Sequence, residues 1–79
     1  MNYAIDLEKL AEKIEKSGMK RKAIAERMHL TAAGLANKLN GKRDFSASEI
    51  NSIADALNLT SDDILSIFFV DFVDKTWTR

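Results

Sequence analysis

The chain has 79 residues, and its twelve lysines and arginines balance its twelve aspartates and glutamates, so the formal net charge is zero. The absence of cysteine excludes disulfides, thiolate metal sites and cysteine nucleophiles, and an apolar share of 46% is typical of a folded domain and not of a disordered segment. No apolar run approaches the roughly 20 residues that span a bilayer and no secretory leader pattern opens the chain, so we expect one soluble, cytoplasmic domain over residues 1–79.

Apolar residues recur at helical spacing almost throughout the chain, and it has no proline and three glycines, which predicts an all-α fold. The first helix carries an apolar stripe formed by Leu7, Leu10, Ala11 and Ile14. Ser17-Gly18 ends this helix, because glycine suits the left-handed conformation at a helix C-terminus.

Two short helices follow. The second covers about residues 20–28, with a buried face formed by Ala23, Ile24 and Met28. Thr31 caps a third helix that runs to about residue 39, where Asn40-Gly41 closes it.

The last two helices have recognisable starts. Ser46 and Glu49 match a capping box, and the apolar stripe of the fourth helix follows as Ile50, Ile53, Ala54 and Leu57. Thr60-Ser-Asp-Asp63 starts a fifth helix, which continues with Ile64, Leu65 and Phe68. We therefore interpret Asp62 and Asp63 as helix-start residues and not as a catalytic carboxylate pair.

The balanced total charge conceals a strong segregation along the chain. Residues 16–43 carry eight bases and one acid, a net +7, whereas residues 44–74 carry seven acids and no base. Residues 1–15 contribute −2, and Lys75 and Arg79 restore the balance. The local potential of such a dipolar molecule, and not its total charge, decides what it binds.

The basic segment coincides with a helix-turn-helix pattern over about residues 20–39. Residues 18–41, GMKRKAIAERMHLTAAGLANKLNG, resemble the lambda-repressor-like (Cro/cI type, XRE) DNA-binding domains. Ala25, Leu30, Thr31, Leu35 and Asn40-Gly41 match that family's small packing residue, turn aliphatic, cap, recognition-helix anchor and helix exit. The resemblance extends over residues 7–69, and the ending at residues 67–69 and 73–76 resembles small prophage-encoded regulators of Gram-positive bacteria.

The resemblance implies a five-helix fold and a transcriptional regulator of phage or prophage type that inserts the helix 31–39 into the major groove of double-stranded DNA. Basic side chains near the unit would contact phosphates, and the third helix would read bases through Thr31, Asn37, Lys38 and the alanine methyl groups. The candidate DNA-binding residues are Lys20, Arg21, Lys22, Thr31, Ala32, Ala33, Asn37, Lys38, Lys42 and Arg43. The structural alternative for the basic segment is a solvated charged face.

The sequence departs from the family pattern where bases are read. Ala32, Ala33 and Gly34 stand where relatives often carry hydrogen-bonding side chains, which favours modest or shape-based specificity. Lys20 replaces the usual Ser/Thr cap of the second helix. His29 replaces the usual turn glycine, and we predict that it adopts the left-handed conformation.

Nothing in the sequence favours an enzyme or a cofactor site. His29 is the only histidine and there is no cysteine, so a turn residue is favoured over a metal ligand or a catalytic base. The serines have no nucleophile-elbow context, and there is no glycine-rich phosphate loop.

A short aromatic C-terminal tail, about residues 70–79, follows the fifth helix. We predict a homodimer whose interface includes Phe69, Phe72, Val73 and Trp77, which would set two recognition helices about 34 Å apart. The alternative is that the tail folds back as additional core. A different functional class also stays open: a protein-interaction module of the same fold, antirepressor-like, that binds another regulator protein through its acidic, aromatic C-terminal half.

Overall fold

A computed structural model of the chain describes residues 5–70 and shows five α-helices and no strand within them. The helices are α1 (Leu7–Ser17), α2 (Arg21–Arg27), α3 (Ala32–Leu39), α4 (Ala47–Leu57) and α5 (Ser61–Phe68). The predicted all-α, five-helix fold is confirmed. The predicted tail lies outside the described residues except for Val70.

The starts of α3, α4 and α5 are set by side chains acting locally, as predicted. Thr31 Oγ1 accepts a hydrogen bond from the Gly34 amide at 2.9 Å and so caps α3. Ser46 with Glu49 and Thr60 with Asp63 form complete capping boxes at α4 and α5, which confirms the helix-start role of Asp63.

The helix ends confirm two further predictions. Gly18 follows α1 with φ of 74°, a left-handed conformation in which a side chain would be strained. Gly41 follows α3 with φ of 80°, and its amide donates to the Lys38 carbonyl at 3.2 Å. The Asn40-Gly41 pair therefore turns the chain sharply out of α3.

One apolar core lies among all five helices, because α2 packs against α3 and α4 while α1 packs against α4 and α5. Phe45, in the linker between α3 and α4, is buried and meets the Phe68 ring edge to face at a centroid distance of 5.3 Å. The buried cluster consists of Leu10, Ile14, Ile24, Ala25, Met28, Leu35, Phe45, Ile53, Ile67 and Phe68.

Ion pairs connect the helices around this core. Arg27 of α2 pairs with Asp55 of α4 at 3.2 Å, with both side chains exposed. Each capping-box carboxylate is bound by a lysine from another helix: Asp63 by Lys13 at 3.2 Å, and Glu49 by Lys38 at 2.9 Å. Within residues 5–70 no helix has the length and apolar character needed to span a membrane.

Candidate nucleic-acid interface

A tight turn joins α2 to α3. His29 adopts φ of 60°, which confirms the predicted left-handed conformation, and its amide donates to the Glu26 carbonyl at 3.1 Å. The Leu30 amide donates to the Ala25 carbonyl at 2.8 Å, and the Leu30 side chain packs on the core. His29 is therefore a turn residue, and among the described residues no three His, Asp or Glu side chains are grouped as metal ligands.

Most of the predicted DNA contacts lie on the surface. Two of them, Asn37 and Lys38, are half-buried on α3. The exposed ones are Lys20, Arg21, Lys22, Thr31, Ala32, Ala33, Lys42 and Arg43.

The pairing of charges separates the bases of residues 16–43 into two groups. Lys16, Arg27 and Lys38 form ion pairs with carboxylates. The remaining five have no carboxylate partner among residues 5–70; they are Lys20, Arg21, Lys22, Lys42 and Arg43. These five cations flank α3 in the chain: three precede it, at the start of α2, and two follow it in the next loop.

The loop after α3 is fixed to the helix by its backbone. The Asn37 carbonyl accepts hydrogen bonds from the amides of Lys42, at 2.9 Å, and Arg43, at 3.3 Å. Both basic side chains therefore start from a backbone that is held against α3, although the side chains themselves are exposed.

An open concavity of about 400 Å³ runs beside α3. It brings together five predicted contacts, which are the α3 cap Thr31, Ala33, Asn37 and Lys38 of α3, and Arg43 of the following loop. Its lining is completed by Leu30, Gly34 and Glu49. Of the other predicted contacts, Arg21 lines a separate concavity at the α1–α2 junction, and Lys20, Lys22, Ala32 and Lys42 line neither of the two.

The first turn of α3 offers few polar groups. The Thr31 hydroxyl accepts a hydrogen bond from the Gly34 amide, so the hydroxyl proton of Thr31 can still be donated to a ligand. A Cβ on residue 34 would lie 3.2 Å from Thr31 Oγ1, so glycine leaves room for this cap. Ala32 and Ala33 present only methyl groups, which suit the methyl group of thymine.

Lys38 is held by intramolecular partners. Its ammonium lies 2.9 Å from Glu49 Oε1, donates to the Asp44 carbonyl at 2.8 Å and lies 6.0 Å from the centroid of the Phe45 ring. Only 11% of its side chain is exposed. A DNA contact by Lys38 stays a prediction. Its partners Glu49 and Asp44 were not predicted from the sequence, where Glu49 was assigned only to a capping box.

The Glu49 carboxylate is stabilised in its charged form. Burial alone would raise its pKa, but hydrogen bonds from the Ser46 amide and from Lys38, with the charge of Lys38, outweigh burial and lower the pKa below its usual value of 4.5. Glu49 is therefore an ionised group that lines the concavity beside α3 and is paired with Lys38.

The predicted dimer residues fall mostly beyond the described chain. Phe69 is half-buried and lines a small apolar pocket of about 140 Å³ with Phe45, Ala47 and Ile50. Phe72, Val73 and Trp77 lie outside the described residues. The dimer interface stays a prediction.

A family model, described as the Cro/C1-type HTH DNA-binding domain, matches residues 9–69. No curated protein and no solved structure matches the chain. The matched range begins within α1 and ends one residue after α5, so it includes the whole α2–turn–α3 unit and the basic loop.

Proposed function

Because this match covers most of the sequence, the chain belongs to the Cro/C1-type helix-turn-helix DNA-binding family, and we propose that it is a sequence-specific transcriptional regulator that inserts α3 into the major groove of duplex DNA. The observation that carries the proposal is the coincidence of two sets. Six bases within residues 16–43 were predicted from the sequence to bind DNA. Five of these six have no carboxylate partner among the described residues, and the sixth, Lys38, is paired with Glu49. The two bases that were not assigned to DNA, Lys16 and Arg27, both form ion pairs.

We assign phosphate contacts to both sides of α3. Lys20, Arg21 and Lys22 stand at the start of α2, which would cross the backbone, and the arginine can bind a phosphate bidentately. Lys42 and Arg43 would meet the backbone from the loop after α3. Their backbone amides are already anchored on Asn37, so DNA binding need order only the side chains.

Base recognition under this proposal is sparse. Ala32 and Ala33 would contact thymine methyl groups, Thr31 would donate its free proton, and Asn37 would bind adenine through two hydrogen bonds. Phosphate contacts then supply most of the affinity, and the shape of the site contributes to specificity.

Because one half-site would offer few base contacts, we expect two copies of the chain to bind each DNA site together. We propose a homodimer that uses Phe69, Phe72, Val73 and Trp77 and places two α3 helices about 34 Å apart on successive major grooves. We further propose that the regulator is of phage or prophage type and that it acts in the cytoplasm, where its DNA target lies.

One observation favours a second candidate. The first turn of α3 has no polar side chain after its Thr31 cap, which leaves little for reading bases. An antirepressor-like interaction module would instead bind another regulator protein through the acidic C-terminal half. Capture of such a partner that survives charge reversal at Lys42 and Arg43, but is lost on Phe72→Ser, would favour this module.

The proposed function is tested by selecting duplexes from a random library at about 50 mM salt, with sedimentation of the free protein and of the complex. We expect an enriched site with two related half-sites and a 2:1 complex. The absence of binding to any duplex at that salt concentration would refute DNA binding, and a 1:1 complex on a single half-site would refute the dimer alone.

A further inference from the structure

We propose that Lys38 is a positioning residue for DNA binding: through Glu49 and Asp44 it holds the loop that carries Lys42 and Arg43 against α3, and it does not contact DNA itself. This inference rests on the proposed function. It assigns to Lys38 a role different from that of the five unpaired cations, although all six belong to the same basic segment.

The first argument is that the Lys38 ammonium already binds two groups within the protein. Two of its three N–H groups face oxygen atoms of the protein, Glu49 Oε1 at 2.9 Å and the Asp44 carbonyl at 2.8 Å. The Lys38 and Glu49 side chains are only 11% and 19% exposed. To reach a phosphate, Lys38 would have to leave Glu49 as an unpaired, mostly buried carboxylate, which is costly.

The second argument is that the Lys38–Glu49 pair binds the backbone of the segment after Arg43. Lys38 binds the Asp44 carbonyl, and Glu49 Oε1 accepts a hydrogen bond from the Ser46 amide at 2.8 Å. The Lys38–Glu49 pair thus fixes the far end of the loop, while the Asn37 carbonyl fixes the amides of Lys42 and Arg43 at its near end. The loop is therefore held against α3 at the two basic residues themselves and again directly after them.

The third argument is electrostatic. Glu49 lines the concavity that also contains Thr31, Asn37 and Arg43, where a nucleic-acid phosphate or base edge would approach. An unpaired carboxylate there would repel DNA and compete for Arg43. Lys38 cancels that charge, so the pair is neutral toward the ligand.

The test is the charge-neutral double variant Lys38→Met/Glu49→Gln, measured on the selected duplex over a range of salt concentrations. The methionine keeps an apolar stem and the glutamine keeps an acceptor for the Ser46 amide, and removing both charges of a buried pair together is generally tolerated. We expect affinity to fall about three- to tenfold for each half-site, the value of one lost hydrogen bond to the loop, with the salt slope unchanged. A slope reduced by about 0.9 for each half-site, the value of one lost phosphate contact per copy of the chain, would overturn the inference, and so would wild-type affinity.

A second readout does not depend on DNA. Hydrogen exchange at the Lys42 and Arg43 amides, measured on the free protein, should be faster in the double variant, and unchanged exchange would overturn the inference. Should the double variant not fold, Glu49→Gln alone, which preserves the capping box, serves for the hydrogen-exchange measurement, with faster exchange at the Lys42 and Arg43 amides expected and unchanged exchange overturning the inference. If the wild-type chain binds no duplex, the proposed function fails while loop exchange still tests the tether.

The structure provides a matched control in Lys13→Met. Lys13 also binds a capping-box carboxylate, Asp63, but it joins α1 to α5, away from the α2–turn–α3 unit. We expect this variant to keep DNA affinity within about twofold of wild type and to leave loop exchange unchanged. Loop exchange accelerated as strongly in Lys13→Met as in the double variant would show general loosening and would overturn the positioning role.

Discussion

Neutralising Lys42 and Arg43 tests the assignment of phosphate contacts most directly. Each phosphate contact contributes about 0.9 to the slope of log K against log salt, so the five unpaired cations predict a slope of about −4.5 for each half-site. The Lys42→Gln/Arg43→Gln variant removes two of these contacts and should reduce the slope to about −2.7. Because each contact is worth about 0.9 decades at 0.1 M salt, affinity at that concentration should fall about 60-fold for each half-site.

The measurement is a titration of fluorescent duplex at several salt concentrations between about 50 and 200 mM. Both side chains are exposed, and only the backbone amides of these residues bond to Asn37, so the variant should keep wild-type stability within about 0.5 kcal/mol. Lys9→Gln/Lys16→Gln is the charge-matched control on α1 and should leave the slope unchanged. An equal reduction of slope in both variants would refute the reasoning, because it would show a response to net charge and not to particular contacts.

Three further predictions concern the scaffold. Gly41→Ala should destabilise the fold by about 1–2 kcal/mol, since residue 41 has φ of 80°, and chemical denaturation with an unchanged midpoint would contradict this. Phe45→Ala should lower the free energy of unfolding by about 3–5 kcal/mol, because Phe45 is 4% exposed and packs on Phe68. A loss below about 1 kcal/mol by calorimetry would contradict the assignment of Phe45 to the core. The pKa of Glu49 lies below its usual 4.5. The pKa of Asp63 lies below its usual 3.8 because its carboxylate accepts a hydrogen bond from the Thr60 amide and another from Lys13. Both ionised groups therefore stabilise the fold above pH 4.5, and this contribution is lost as the pH falls further. Denaturation midpoints of Glu49→Gln/Asp63→Asn should therefore fall less between pH 6 and pH 3 than those of wild type, and parallel curves would refute the assignment.

The helices and their caps could be predicted because the determinants are local. Thr31, Ser46 and Thr60 each bond an amide three residues ahead, so the sequence alone contains both partners. The left-handed conformation of His29 followed from the family resemblance, because His29 stands where relatives usually have a turn glycine. The helix caps depend on spacing along the chain and not on packing.

The features that escaped prediction join residues that are distant in sequence or that lie outside the regular elements. Lys38 and Glu49 meet across two helices, and counting charge along the chain assigned Lys38 to the DNA footprint without showing that a carboxylate neutralises it. Arg27 pairs with Asp55, 28 positions away, so it too contributes less to the basic surface than its sign suggests. Phe45 is a core residue in a linker, where no periodic pattern marks burial.

The two capping boxes have a consequence for how the domain unfolds. The start of a helix normally frays independently of the rest of a protein, because its capping bonds are local. In this chain Glu49 and Asp63 each serve a local cap and a lysine of a different helix, so opening the first turn of α4 or α5 also disrupts a contact with α3 or α1. Fraying is thereby coupled to interhelical contacts, which favours all-or-none unfolding of a domain this small.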